Sequence, residues 1–163
     1  KWKEDSDIFN IDTETNNLDP HTGSILLLQI GKSYKQYVID CRYISIEVFK
    51  SFLEDPNKLN ILHNVEFDYK LFLSYGINLT NFYDTMIAEL IIYSSIDNFG
   101  YSLKDLVERY IGEKLDKTVR KNFFYKKFSN FTQEHWVRFF YFCIKFYKYH
   151  SSIQTRCFVH NTW

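Results

Sequence analysis

Cysteine is scarce in this chain, and so are glycine and proline. Three cysteines, Cys41, Cys143 and Cys157, stand among 163 residues. Odd in number and far apart, they imply no disulfide framework and point to a reducing, intracellular compartment. Five glycines compose neither a Rossmann fingerprint nor a G-x-x-x-x-G-K-[ST] loop, which argues against a nucleotide cofactor. A Ser-centred elbow of the hydrolase kind is missing too. No apolar run approaches the roughly 20 residues that cross a bilayer and no secretory signal opens the chain, so no membrane partner is expected. The one methionine, Met86, is internal. We read residues 1–163 as a single domain that belongs to a larger protein, since no repeat, low-complexity tract or linker divides them.

Net charge is also lacking. Twenty basic residues balance 20 acidic ones, which excludes a histone-like polycation. The balance hides an asymmetry: residues 1–80 hold 8 Lys+Arg against 12 Asp+Glu, and residues 81–163 hold 12 against 8. From Lys117 onward nine basic residues accompany one acid, Glu134. An acidic half beside a basic half suits a protein that holds metal ions near a polyanion. What is abundant is apolar: 45% of residues, enough to bury one sizeable core.

The pattern predicts an α/β domain with a mixed sheet flanked by helices. Ile8–Glu14 alternates as a strand, Ser24–Ile30 is a near-continuous apolar run, and Gln36–Asp40 completes an antiparallel start of three strands. Ser45 caps a predicted helix over Ile46–Leu53, which Pro56 ends. Leu59–His63 is a fourth strand and feeds a helix from Val65 to Tyr75, stopped by Gly76. Phe82–Ile92 has helical spacing that starts at Asp84-Thr85. Ser102 with Asp105 resembles a capping box for a helix to Tyr110. Beyond it, Lys114–Asn130 reads as a basic, aromatic loop and short helix, and Thr132–Ile153 as a long helix.

Two groups of residues carry chemistry. In Ile11-Asp12-Thr13-Glu14-Thr15, strand alternation puts Asp12 and Glu14 on one face. Two like charges that close require a cation or a pKa shift, and carboxylate oxygens suit Mg²⁺ or Mn²⁺. An arbitrary D-x-E is more often a solvated strand face. The second group, His63-Asn64-Val65-Glu66-Phe67-Asp68, runs from a strand end into a helix, where sites assemble in α/β sheets. Asp68 falls in the first helical turn, where the dipole favours an anion, with or without a ligand.

Taken in order, Asp12-x-Glu14, Asn64-x-x-x-Asp68, Asp84-Thr85-Met86, Ser102-Leu103-Lys104-Asp105-Leu106 and Leu115-Asp116-Lys117-Thr118 resemble the DEDD 3′–5′ exonucleases. More narrowly, the chain is similar to ribonuclease D and to the proofreading domains of family A DNA polymerases, from Ile8 to Phe124. The resemblance implies a ribonuclease H-like fold. It also implies hydrolysis of phosphodiester bonds at a 3′ end by two divalent cations about 3.5–4 Å apart. By the family pattern Asp12 touches both ions, Glu14 one, and Asp68 the second. Asn64 orders the helix start or approaches the substrate backbone. In Thr15-Asn16-Asn17-Leu18 the family's apolar wedge at the terminal bases falls on Leu18, which by its residue type alone would equally plug the core. The implied substrate is a single-stranded DNA or RNA 3′ end, and a polymerase or helicase module is the implied companion.

One family residue is missing. A further Asp should stand on the last helix, four residues after a Tyr that orients the attacking water, yet the last aspartate here is Asp116. Matching that Tyr with Tyr141 puts Lys145 at the Asp position; counting from Phe131–Glu134 puts Phe142 there. Three readings stay open. Glu134, Tyr141 or His150 completes an altered site; the domain binds nucleic acid without cutting it; or the segment from Phe139 is atypical or incompletely represented.

Lys117, Arg120, Lys121, Lys126 and Lys127 interleave with Phe123, Phe124, Tyr125 and Phe128. The cations suit phosphates and the rings suit unpaired bases, although a basic surface over buried aromatics has the same composition. Cys157-x-x-His160 with His150 lacks the paired ligand set of a zinc site. His63, closing an apolar strand, is expected to be hydrogen-bonded in the interior.

Overall fold

A computed structural model describes residues 7–32, 35–112 and 114 of the chain. Strands β1 (Ile8–Thr15), β2 (Ile25–Lys32) and β3 (Lys35–Asp40) form the expected antiparallel meander. Asp12 lies opposite Gln29, and Leu28 opposite Ile39. A register shift between Glu14 and Thr15 marks a bulge at the end of β1, a device that re-aims side chains near sites. Ser45 caps the next passage as predicted, its hydroxyl accepting from the Glu47 N–H. That passage is less regular than expected: Ile46–Phe49 is a 3₁₀ turn, and only α1 (Lys50–Leu53) is α-helical. Ile46, Val48 and Phe49 are weak helix formers, which fits the tighter turn.

β4 (Leu59–Leu62) and α2 (Val65–Ser74) follow the sequence reading closely. Gly76 reverses the chain with φ +69° just past α2, a conformation glycine adopts freely. The stretch from Phe82 corrects the expectation of one helical run. Phe82–Asp84 is a short strand, β5, parallel to β4 with Asn60 beside Phe82 and Leu62 beside Asp84. Three residues are too few for alternation to show. Helix α3 (Thr85–Tyr93) starts directly after it. Ser102 then opens α4 (Leu103–Ile111) through the predicted capping box with Asp105. The predicted loop over Lys114–Asn130, Lys114 apart, and the helix over Thr132–Ile153 lie outside the described residues.

The five strands run in the order β3-β2-β1-β4-β5. β1 is antiparallel to β2 and parallel to β4, with Asn10 beside Ile61. Strand order therefore reverses at β1, and the crevice at the carboxyl ends of β1 and β4 is a topological switch point. Ile11, Leu28, Ile30 and Leu62 pack with Leu53, Val65, Leu71 and Phe72 in one buried core. Phe9 meets Phe52 edge to face at 4.7 Å. Full burial of side chains such as Leu71 and Phe72 contributes about 1.5–3 kcal/mol each. Their role here is positional: they seat α2 so that its first turn lies at the end of β1. Among the described residues no helix is long and apolar enough to cross a membrane.

Candidate active site

Asp12 and Glu14 sit half-buried at the carboxyl end of β1. Asp12 Oδ2 accepts from Gln29 Nε2, its cross-strand partner, at 3.5 Å. Asp68, from α2, is buried with 4% exposure. It is tied to β1 through a residue the sequence reading passed over: Thr13 Oγ1 donates to Asp68 Oδ1 at 2.6 Å. Burial pushes the Asp68 carboxyl up to about 7; the charge of Glu14 adds to this, while hydrogen bonds from the Thr13 hydroxyl and from backbone N–H groups pull it down. The structure thus brings Asp68 within electrostatic reach of Glu14.

These donors are hard carboxylate oxygens, the chemistry of a Mg²⁺ or Mn²⁺ site. Asp68, buried and next to a second carboxylate, is a group whose ionised form a divalent cation would stabilise. In donor chemistry the three carboxylates suit such ions. Among the described residues, however, no three His, Cys, Asp or Glu side chains converge on one point that could hold a metal. The Asp12–Glu14–Asp68 set is present as residues sharing one end of the sheet, and it is not drawn into a closed cage.

On the far side of β4, Asp84 organises the end of β5. Its carboxylate accepts from the Asn64, Val65, Met86 and Ile87 N–H groups. Thr85 donates its hydroxyl to the Leu62 carbonyl at 3.1 Å and so accepts from His63 Nδ1 at 2.9 Å. Burial lowers the His63 imidazole to about 4, with the charge of Asp84 working the other way. His63 is accordingly neutral and hydrogen-bonded near pH 7, in line with its sequence reading. Asn64 is exposed and left-handed, with φ 65° and ψ 58°, and its side chain makes no capping hydrogen bond.

Thr15 is buried and donates its hydroxyl to the Asn17 carbonyl at 2.7 Å. Leu18, 69% exposed, stands on the β1–β2 loop and does not plug the core. Lys117, Arg120, Lys121 and Tyr141 lie outside the described residues, as do Glu134, Lys145 and His150. Beside Thr13, two features escaped the sequence reading. Asp84 preceding a helical run signals an N-cap, but its reach to α2 does not show in sequence. Glu89, alone among apolar neighbours on α3, signals a buried partner; its carboxylate accepts from Arg109 and the Tyr110 hydroxyl.

A mixed sheet of this order, with a D-x-E pair on β1 and a third acid opening α2, is the arrangement of the ribonuclease H-like, DEDD exonuclease domains. Residues 3–126 match the 3′–5′ exonuclease family, and the chain belongs to it. Over 125 residues it is 34% identical to DNA polymerase I of Aquifex aeolicus (strain VF5), a match covering 74% of this chain and 19% of that protein. The chain thus spans about a fifth of the length of that curated relative. Among solved structures, Escherichia coli RNase D, an exoribonuclease involved in structured RNA processing, superposes with a TM-score of 0.73 at 19% identity, covering 90% of this chain and 39% of that one. Brucella melitensis NrnC with bound Mg²⁺ superposes with a TM-score of 0.71 at 20% identity, covering 92% and 74%. At such identities the structural likeness carries the fold alone. It is the fold the sequence resemblance implies.

Proposed function

We propose that this chain is a metal-dependent 3′–5′ exonuclease domain that shortens single-stranded DNA or RNA from the 3′ end. The observation that carries the reading is Asp68, buried beside Glu14 and fixed to β1 by Thr13. Bound there, two divalent cations, Mg²⁺ or Mn²⁺, would polarise the scissile phosphate and activate a water for attack. Asp12, Glu14 and Asp68 would hold them, with Thr13 orienting Asp68. Mg²⁺ in the NrnC structure supports the choice of ion. Leu18, exposed on the β1–β2 loop, would press on a terminal base. Thr15 shapes that loop, and Asn64 would approach the substrate backbone. Lys117, Arg120 and Lys121 would neutralise phosphates, and Tyr141 would orient the water. We further infer that residues 1–163 are one domain of a larger protein in a reducing, intracellular compartment. A polymerase module is the companion that the DNA polymerase I match supports, and a helicase module is the alternative.

A second reading, binding of single strands without cleavage, is favoured by the sequence itself: no aspartate follows Asp116. Incubation of a 3′-overhang DNA and a matched RNA with Mn²⁺, beside EDTA and Asp12→Asn controls, separates the readings. Metal-dependent shortening from the 3′ end, lost in the variant, is expected of the exonuclease. Tight binding with no shortening would select the second.

A further inference from the structure

Asp84 is not one of the candidate ligands, yet it is buried and fully engaged. Its Oδ1 accepts from the N–H groups of Asn64 (3.0 Å), Met86 (2.8 Å) and Ile87 (3.4 Å), and its Oδ2 from that of Val65 (2.8 Å). Met86 and Ile87 belong to the first turn of α3, so that part of the network is an ordinary N-cap. Asn64 and Val65 belong to the start of α2, 20 and 19 residues away in the chain. One carboxylate therefore fixes the entry to both helices.

What it fixes at Asn64 is an unusual backbone. φ 65° and ψ 58° place the residue in the left-handed region, where a side chain carries a conformational cost and glycine carries none. Asparagine enters this region more readily than most residues, as Asn98 does elsewhere in the chain. What distinguishes Asn64 is that its carboxamide is exposed and makes no capping hydrogen bond, at the carboxyl end of β4 and one turn before Asp68. Backbone strain of this kind gathers at functional sites, where surrounding contacts over-determine it. Here the over-determining contact is Asp84.

We propose that Asp84 is a positioning residue that holds Asn64 left-handed and so presents the Asn64 carboxamide to a single-stranded 3′ end. The proposal rests on the reading of this crevice as a site for single strands, whether or not it cuts them. Asp84 touches neither substrate nor cation in this scheme and acts wholly through Asn64.

The test is a double-mutant cycle on the whole chain with Asn64→Gly, Asp84→Asn and both together. Binding of short single-stranded DNA and RNA oligonucleotides is followed by fluorescence anisotropy with Ca²⁺ in place of Mg²⁺, and Tm is measured in parallel. Asn64→Gly is expected to keep or raise Tm while weakening binding about tenfold, roughly the loss of one good polar contact. Asp84→Asn is expected to lower Tm and weaken binding to the same degree. The double variant should bind no worse than Asn64→Gly, because two residues acting as one unit are not additive. Additive losses, or undiminished binding by a folded Asp84→Asn, would overturn the proposal while leaving the site intact. Should Asp84→Asn not fold, Asn64→Gly decides: a raised Tm with unchanged binding sinks the idea. A wild-type chain that binds no single strand at all overturns the underlying reading, and this inference with it.

Discussion

Thr13 donates its hydroxyl to Asp68 across 2.6 Å, and both residues are buried. That single contact joins the end of β1 to the first turn of α2 and places the carboxyl inside the protein. The dipole of α2 favours a charge there, but desolvation outweighs it and leaves Asp68 with a proton affinity near neutrality.

Stability of the chain in EDTA should fall as pH rises. Asp68 moves from an ordinary value of 3.8 to about 7 on folding, so the folded state binds the extra proton. Its contribution is fully present below about pH 4 and is lost as pH climbs through about 7. Asp68→Asn, neutral at every pH, should flatten that part of the profile and exceed wild type above pH 7 by on the order of a few kcal/mol. Urea melts of both proteins across this window provide the check; parallel profiles would contradict the assignment.

Mn²⁺ should reverse the trend, because the ion takes the ionised carboxylate. At a hundredfold excess over Kd it would stabilise the wild type by about 2.7 kcal/mol. Thr13→Val keeps the shape and removes the donor, and loss of such an outer partner typically lowers metal affinity about 10–100-fold. Calorimetric titration at pH 8 measures it, and unchanged affinity would show that Thr13 does not orient Asp68.

Cleavage, once detected, should drop at least about a hundredfold in Asp12→Asn and in Asp68→Asn, as lost charge stabilisation of several kcal/mol requires. Asp12→Asn should retain the wild-type Tm within a few degrees at pH 6, and Asp68→Asn should melt above the wild type there, in keeping with its flattened pH profile. A single-turnover assay with Mn²⁺ decides. Near-normal rates in either variant would remove that residue from the ligand set.

Glu89 has zero exposure, and Arg109 answers it from α4 while lying 3.7 Å over the Phe99 ring and donating to the Gly100 carbonyl at 2.8 Å. Arg109→Ala takes the cation away from a buried carboxylate that the Tyr110 hydroxyl also bonds, and such broken pairs cost about 3–5 kcal/mol. Glu89→Gln should cost less, since the amide keeps an acceptor without the charge. Equilibrium denaturation giving the opposite ranking would rule out a charge clamp between α3 and α4.

Ser102→Ala removes the cap of α4 and should cost about 1 kcal/mol. A loss of that size in a denaturation series, restored by Ser102→Asp, would confirm the cap.

Much of this arrangement is legible in the residues. Alternation and apolar runs mark β1 to β4, and Ser45, Gly76 and Ser102 punctuate the helices where the structure has them. The positions of Asp12 and Glu14 on β1 and of Asp68 in the first turn of α2 are readable because strand and helix patterns mark those elements. β5 is not, since three residues carry no period. Thr13 is hidden because its importance depends on a partner 55 residues away. Asp84 shows in sequence as the cap of the helix it precedes, and its second helix is reached only through the fold. Leu18 has the same composition buried or exposed; only the conformation of its loop decides.

The meander and the site differ in how they assemble. β1, β2 and β3 follow one another in chain and sheet alike, so their pairing closes small loops. Asp68 reaches Thr13 only when β4 has returned to β1 and α2 has docked, a contact between residues 55 apart. Chain entropy must be surrendered before such a contact stabilises anything. A folding intermediate holding the meander alone would carry Asp12 and Glu14 but no third carboxylate. On the proposed reading, cation affinity would therefore report the finished fold, because it would need the long-range contact of Asp68 with β1 as well as the meander.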